Sequence, residues 1–165
     1  MKDQNLTILP DGGGYAVRVR GRANFEYAVP LRDLINRGAE FDRFRIDLGE
    51  CLAMDSTFMG VLTMIALRGR RSNVRIELLN ASETLQKLLR DLGVAKLFDF
   101  TTGAVSGEAA PNAAAGALET AETVAEAHET LVAADGANAD RFASVIEYAR
   151  RDVENLKEPS QNRKD

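Results

Sequence analysis

A chain of 165 residues has room for one compact domain and an appendage, because single domains most often run to about 100–150 residues. Its 21 Lys and Arg against 25 Asp and Glu leave a net charge of −4, without the clustered basic excess that binding a phosphate backbone requires, so a nucleic-acid partner is not expected. One cysteine (Cys51) and one histidine (His128) allow neither an internal disulfide nor a Cys/His zinc site, and no apolar run approaches the ~20 residues of a membrane span or resembles a signal peptide. A cytoplasmic protein without metal or cofactor is expected.

Residues 5 to 20 read as two short strands, LTILP and YAVRVRG, separated by the turn signal Gly12-Gly13-Gly14 after Asp11. In the second, Tyr15, Val17 and Val19 alternate with Ala16, Arg18 and Arg20, which predicts one buried and one wet face. From about Asn24 to Arg37 the spacing of Phe25, Val29, Leu31, Leu34 and Ile35 predicts a helix, with Asn24 as N-cap and Gly38 just past its end. Pro30 is the residue that strains this assignment, since a proline inside a helix removes one hydrogen bond.

Phe44 to Leu48 alternates as a strand, and Glu50 to Asp55 reads as a loop into the apolar run STFMGVLTMIALRGR. Phe58, Val61, Leu62 and Ile65 share one face at helical spacing, so a helix is expected from Ser56 to about Arg68, closed by Gly69. Arg68, Arg70 and Arg71 near its end read as solvated charges favoured by the helix dipole. Val74 to Leu79 is a further strand. Asn80 with Glu83 has capping-box spacing, Leu85, Leu88, Leu89 and Leu92 form an apolar stripe, and Gly93 ends that helix; VAKLFDF then reads as a last short helix or turn. The expected order is ββαβαβα.

Composition changes after that point. Thr101 to Ala117, rich in Gly, Ala, Ser and Thr, reads as a linker. Leu118, Ala121, Ala125, His128 and Val132 mark one helical stripe, and Phe142, Val145, Ile146, Ala149, Val153 and Leu156 a second, with Asp135-Gly136 as the turn between them. The predicted divisions are a domain over 1–100, a linker over 101–117, a helical hairpin over 118–157 and a disordered polar tail over 158–165. The hairpin could pack on its own chain and cover the sheet, pair two copies into a homodimer or dock a partner, and its stripes do not choose.

Few residues carry chemistry on their own. His128 lies on an apolar stripe and reads as a packed core histidine rather than a ligand or base. Cys51 reads as a small buried hydrophobe, and Gly12 to Gly14 precedes a strand, not the helix that a phosphate cradle needs. An aspartyl-phosphate receiver is excluded because Asp47 at a strand end lacks a recognisable acidic metal-binding pair and late lysine. No acid–base pair or nucleophile–base set assembles, so no catalysis is expected.

The segment IDLGECLAMDSTFMGVL, Ile46 to Leu62, delivers a strand through a short loop to Asp55-Ser56 at a helix start. In this it resembles the STAS (anti-sigma factor antagonist) family, whose hallmark is a strand, a loop and Asp-Ser-Ser/Thr-Gly-Leu-Gly opening a helix. Asp55, Ser56, Thr57 and Gly60 match; Met59 replaces the usual Leu, and Phe58 stands where the family usually has Gly. With the late NASETLQKLLRDLGVAKLF segment and the element order, the resemblance spans roughly residues 5 to 100 and leaves out the hairpin. It implies an α/β fold, a STAS-like mixed β-sheet covered by helices, to which the C-terminal helical hairpin is an extension.

The resemblance also implies a partner switch. Unphosphorylated protein would bind a serine-kinase anti-sigma factor of the GHKL type, and phosphorylation of Ser56, with Thr57 as a secondary candidate, would release it; a phosphatase is a candidate to reset the switch. A phosphate fits a helix start, where backbone N–H groups are unpartnered and the dipole is positive, but adds about −1.5 to −2 charges beside Asp55. Read locally, Asp55 and Ser56 are an ordinary helix cap and first-turn residue, and it is the family frame that makes Ser56 the expected phosphosite. The expected partner surface is Asp55, Ser56, Thr57, Phe58, Met59 and Gly60, with Arg22 and Asn24 beside it. The alternative the resemblance allows is a constitutive scaffold subunit of a lipid-transport ATPase complex, in which Ser56 is unregulated.

Overall fold

The computed structural model describes residues 5–105 and 116–157. The expected tail from residue 158, and most of the expected linker, lie outside them. Five strands make one sheet in the order β1-β2-β3-β4-β5: β1 (Asn5–Asp11), β2 (Gly14–Ala23), β3 (Phe44–Met54), β4 (Ile76–Leu79) and β5 (Phe98–Thr101). β1 and β2 are an antiparallel hairpin, and every later pairing is parallel. The hairpin turns at Gly12, whose φ of +62° suits a residue without Cβ.

Helices α1 (Phe25–Asn36), α2 (Ser56–Arg71) and α3 (Glu83–Asp91) return the chain between parallel strands and cover one face of the sheet. Val17, Val19, Phe44, Ile46, Leu48, Ile76 and Leu78 point into the core between sheet and helices. The opposite face is not simply wet: Leu9, Ala16, Leu79 and Val105 form a small second cluster there. Beyond the sheet domain, α4 (Ala117–Ala134) and α5 (Ala139–Lys157) form the expected hairpin around a 3₁₀ turn at Gly136–Asn138, and α4 packs on α2 and α1 as a third layer.

Several expected boundaries move for physical reasons. The loop expected over Glu50–Asp55 is strand as far as Met54; register shifts against β2 break the alternation that would have revealed it. Gly69 does not close α2, which runs on to Arg71 because Gly69 lets the helix pass the Val74 carbonyl. Arg68 is not a solvated charge: its guanidinium donates to the carbonyls of Ile35 at 3.2 Å and Ala39 at 3.1 Å, closing the end of α1. Ser82, not Asn80, caps α3 by accepting from the Leu85 N–H, while Asn80 takes φ +61° and its side chain reaches Asp47 and Gly103. The last expected helix or turn is a single 3₁₀ turn, Ala95–Leu97, followed by the edge strand β5, whose four residues are too few to show a period. Phe25, the first apolar residue of the spacing that marked α1, is 42% exposed at the helix start.

Candidate functional site

The parallel strands β2 and β3 end side by side, and each hands the chain to a helix. Asn24 caps α1 by accepting from the Glu26 N–H at 2.9 Å, and Asp55 caps α2 by accepting from the Phe58 N–H at 2.8 Å. The Asp55 N–H in turn donates to the Ala23 carbonyl at 3.0 Å, which locks the two helix starts together. Pro30 is accommodated within α1. Burial pushes the Asp55 carboxyl above its ordinary value, against hydrogen bonds from backbone N–H groups of Phe58 and Phe25 and the proximity of His128.

Ser56 is the first residue of α2 and is half-buried. Its Oγ lies 2.7 Å from His128 Nε2 on α4. The other ring nitrogen, Nδ1, lies 2.7 Å from the Val124 carbonyl, which can only accept. Nδ1 therefore carries the proton of the neutral ring, and the Ser56 hydroxyl donates to Nε2. Burial holds the imidazole below its ordinary value, which keeps it in this neutral form, and the Phe142 ring packs edge-on against it at 4.9 Å between centroids. His128 is a packed histidine as its stripe suggests, yet it also engages the one hydroxyl the motif singles out.

The remaining residues of the expected surface are placed differently from one another. Arg22 is exposed and Asn24 half-buried at the neighbouring helix start. Thr57, Phe58, Met59 and Gly60 are buried, with Phe58 fully so. The Phe58 ring fills the core under α2 where the family pattern has no side chain. Gly60 faces α4: a Cβ there would lie 2.4 Å from the Ala127 carbonyl oxygen and 2.6 Å from the Ala127 Cβ, so the two helices cross backbone against backbone.

Three contacts that the sequence did not single out hold α4 and α5 in this position. Arg32 of α1, only 9% exposed, donates to Glu126 at 2.7 and 3.0 Å and to Glu122 at 3.4 Å. This pairing holds the Arg32 guanidinium above its ordinary value. Glu126 is held below its ordinary value: burial alone would raise it, and the hydrogen bonds from Arg32 and Asn36 outweigh that burial. The buried Asn138 amide donates to the carbonyls of Leu92 at 3.0 Å and Leu131 at 2.9 Å, tying the hairpin turn to the end of α3. Arg150 of α5 donates to Glu129 of α4 at 2.6 and 2.8 Å. Only the amphipathic stripes signalled these docking contacts in advance, and a stripe does not name its counterpart.

Cys51 is buried and burial pushes its thiol up, away from the reactive thiolate. Among the described residues no group of three or more His, Cys, Asp or Glu side chains gathers as a metal ligand set, and no helix is long and apolar enough to cross a membrane.

Comparison with known proteins places the β1–β5 domain. A STAS-domain containing protein of Pseudomonas aeruginosa (strain UCBPP-PA14) is 29% identical over 96 residues, which cover 56% of this chain and 95% of that protein. The anti-sigma factor antagonist SpoIIAA in its unphosphorylated form superposes with a TM-score of 0.49 at 17% identity, over 61% of this chain and 89% of that one. A putative anti-sigma factor antagonist from Thermotoga maritima gives a TM-score of 0.49 at 15% identity, over 58% and 85%. The family model described as Mlab, STAS domain matches residues 11–99, from the end of β1 into β5. With more than half its length matched, and α4 and α5 lying outside the match, the chain belongs to the STAS-domain family.

Proposed function

We propose that this chain is an anti-sigma factor antagonist-like regulatory protein, which binds a serine-kinase anti-sigma factor or related regulator and is switched off by phosphorylation at Ser56. The observation that carries the reading is the setting of Ser56: a hydroxyl at the first position of α2, next to the capping Asp55, at the C-terminal ends of parallel strands. Backbone N–H groups and the positive end of the dipole tolerate a phosphate there, so modification need not unfold the domain. The added charge beside Asp55 would oppose any partner that packs closely on this end, through repulsion and the cost of desolvating the phosphate. Arg22 and Asn24, at the adjoining helix start, complete the exposed part of the surface. Catalysis by the chain itself has no role in this mechanism.

The test is phosphate mapping. Incubated with a kinase-type anti-sigma factor of the same organism and ATP, the wild-type chain is expected to gain one phosphate on Ser56, seen by mass spectrometry, and Ser56→Ala none. Phosphate that persists in Ser56→Ala, or no phosphate with any such kinase, contradicts the switch. One observation favours the second reading, a constitutive scaffold subunit of a lipid-transport ATPase complex: the Ser56 hydroxyl is already engaged within the chain by His128. Stable co-purification with an ATPase, unaffected by Ser56→Asp, would support that scaffold.

A further inference from the structure

We infer that the α4–α5 hairpin is a cover in cis: it occupies the surface of α2 that a partner must use, so partner binding and phosphorylation of Ser56 both wait on the hairpin lifting away. The inference rests on the reading of the α2 start as the partner-facing site. It adds to that reading which element guards the site and what a partner must displace.

While α4 is down it occupies the crossing at Gly60 and leaves Ser56 only half-exposed at its edge. At Gly60 the helices meet backbone against backbone, with the Ala127 carbonyl and Cβ where a side chain on α2 would go. One residue on, His128 takes the Ser56 proton donor at 2.7 Å and covers it with a ring that is itself 98% buried, being 2% exposed. The same helix therefore shields both the crossing groove and the hydroxyl. A partner that replaced α4 here would need a small residue at the Gly60 crossing and a polar group facing Ser56, as Ala127 and His128 provide.

The cover has the composition of a separable layer. Its buried residues on α4 are mostly small or polar, Ala121, Thr123, Ala125, Ala127 and His128, and its large contributions to the main core are Leu131 and Phe142. Its other anchors are polar, the Arg32 pairing with Glu122 and Glu126 and the Asn138 amide on the Leu92 carbonyl. Small and polar contacts make this interface more polar than a core split in half, with Leu131 and Phe142 as its large apolar contributions to the main core. At least one relative of the β1–β5 domain has no room for an equivalent hairpin. The matched residues end at 99, and the Pseudomonas relative has only 5% of its length outside the match, too little for two helices.

When only the open form binds, the apparent affinity falls by the fraction of chains that are open. Ala127→Glu, which forces a charge into the crossing, and the milder His128→Ala, which removes the acceptor from Ser56, both raise that fraction without altering α2. Hydrogen–deuterium exchange on the full chain is the first readout. Amides of α4 and α5 are expected to exchange at least about tenfold faster in Ala127→Glu, while those of β2, β3 and β4 keep their protection. Unchanged exchange in the hairpin overturns the inference, and so does joint loss of hairpin and sheet protection in both variants, because the hairpin is then core and not cover. The second readout is titration with a purified kinase-type anti-sigma factor, where Ala127→Glu is expected to bind about tenfold or more tightly than wild type. Equal affinity of the two forms overturns the cover. If neither form binds or gains phosphate, the partner assignment fails, and the exchange result still decides whether α4 is displaceable.

Discussion

Ser56 and His128 stand 72 positions apart, and their meeting sets the character of the site. Local sequence alone reads Ser56 as a first-turn residue beside a helix cap, and it was the family resemblance, carried by a strand, a loop, Asp-Ser and an apolar run within seventeen residues, that singled the serine out. The histidine was not singled out, because nothing in an amphipathic stripe says which helix it docks against or in what register. Since burial lowers the His128 pKa, the unfolded chain binds more protons than the folded one below the ordinary imidazole value of 6.5. Its contribution is therefore neutral above that pH and destabilising as pH falls below it. Asp55 is the titratable group that acts on His128 in this balance, its charge favouring the protonated ring, while Ser56, the Val124 carbonyl and the Phe142 ring are the uncharged groups in contact. Chemical denaturation between about pH 7 and pH 5 is expected to show a loss of stability in wild type that is reduced in His128→Phe; equal slopes would remove His128 from the account. At the facing position, Gly60→Ala places a methyl against the Ala127 carbonyl and is expected to cost about 1–3 kcal/mol by the same measurement.

At the scale of elements, hydrophobic spacing located α1, α2, α4, α5 and the strands β1 and β2 close to where they lie. What it missed shares a cause: signals that need more residues, or more of the tertiary structure, than the local pattern holds. β5 is four residues long, and the second half of β3 carries shifted register, so neither displays a period of two. Arg32 of α1 carried no signal in the local pattern and is buried because two glutamates on α4 meet it. Asn138, just past the expected Asp135-Gly136 turn, satisfies two carbonyls, one from α3's end and one from α4. Replacing it with alanine leaves both carbonyls buried without that donor. The expected cost is about 1–3 kcal/mol, read as faster amide exchange confined to the hairpin and the end of α3; exchange that spreads evenly through the sheet would contradict this local role.

At the scale of the whole molecule, the chain divides into a STAS domain of matched sequence and a two-helix layer outside the match. The sequence left three fates open for the hairpin, and in the structure it packs on its own chain, against α2 and α1 rather than over the sheet, across the very helix start that the family motif marks. A regulatory reading of Ser56 and an intramolecular cover over it then belong to one scheme: opening exposes the hydroxyl and the α2 face, a partner binds, and phosphate on Ser56 ends that binding. The most direct test is a titration of the kinase-type anti-sigma factor against the unphosphorylated chain and against the same chain carrying phosphate on Ser56. The scheme predicts affinity about tenfold or more weaker for the phosphorylated chain, and equal affinity of the two forms would contradict it.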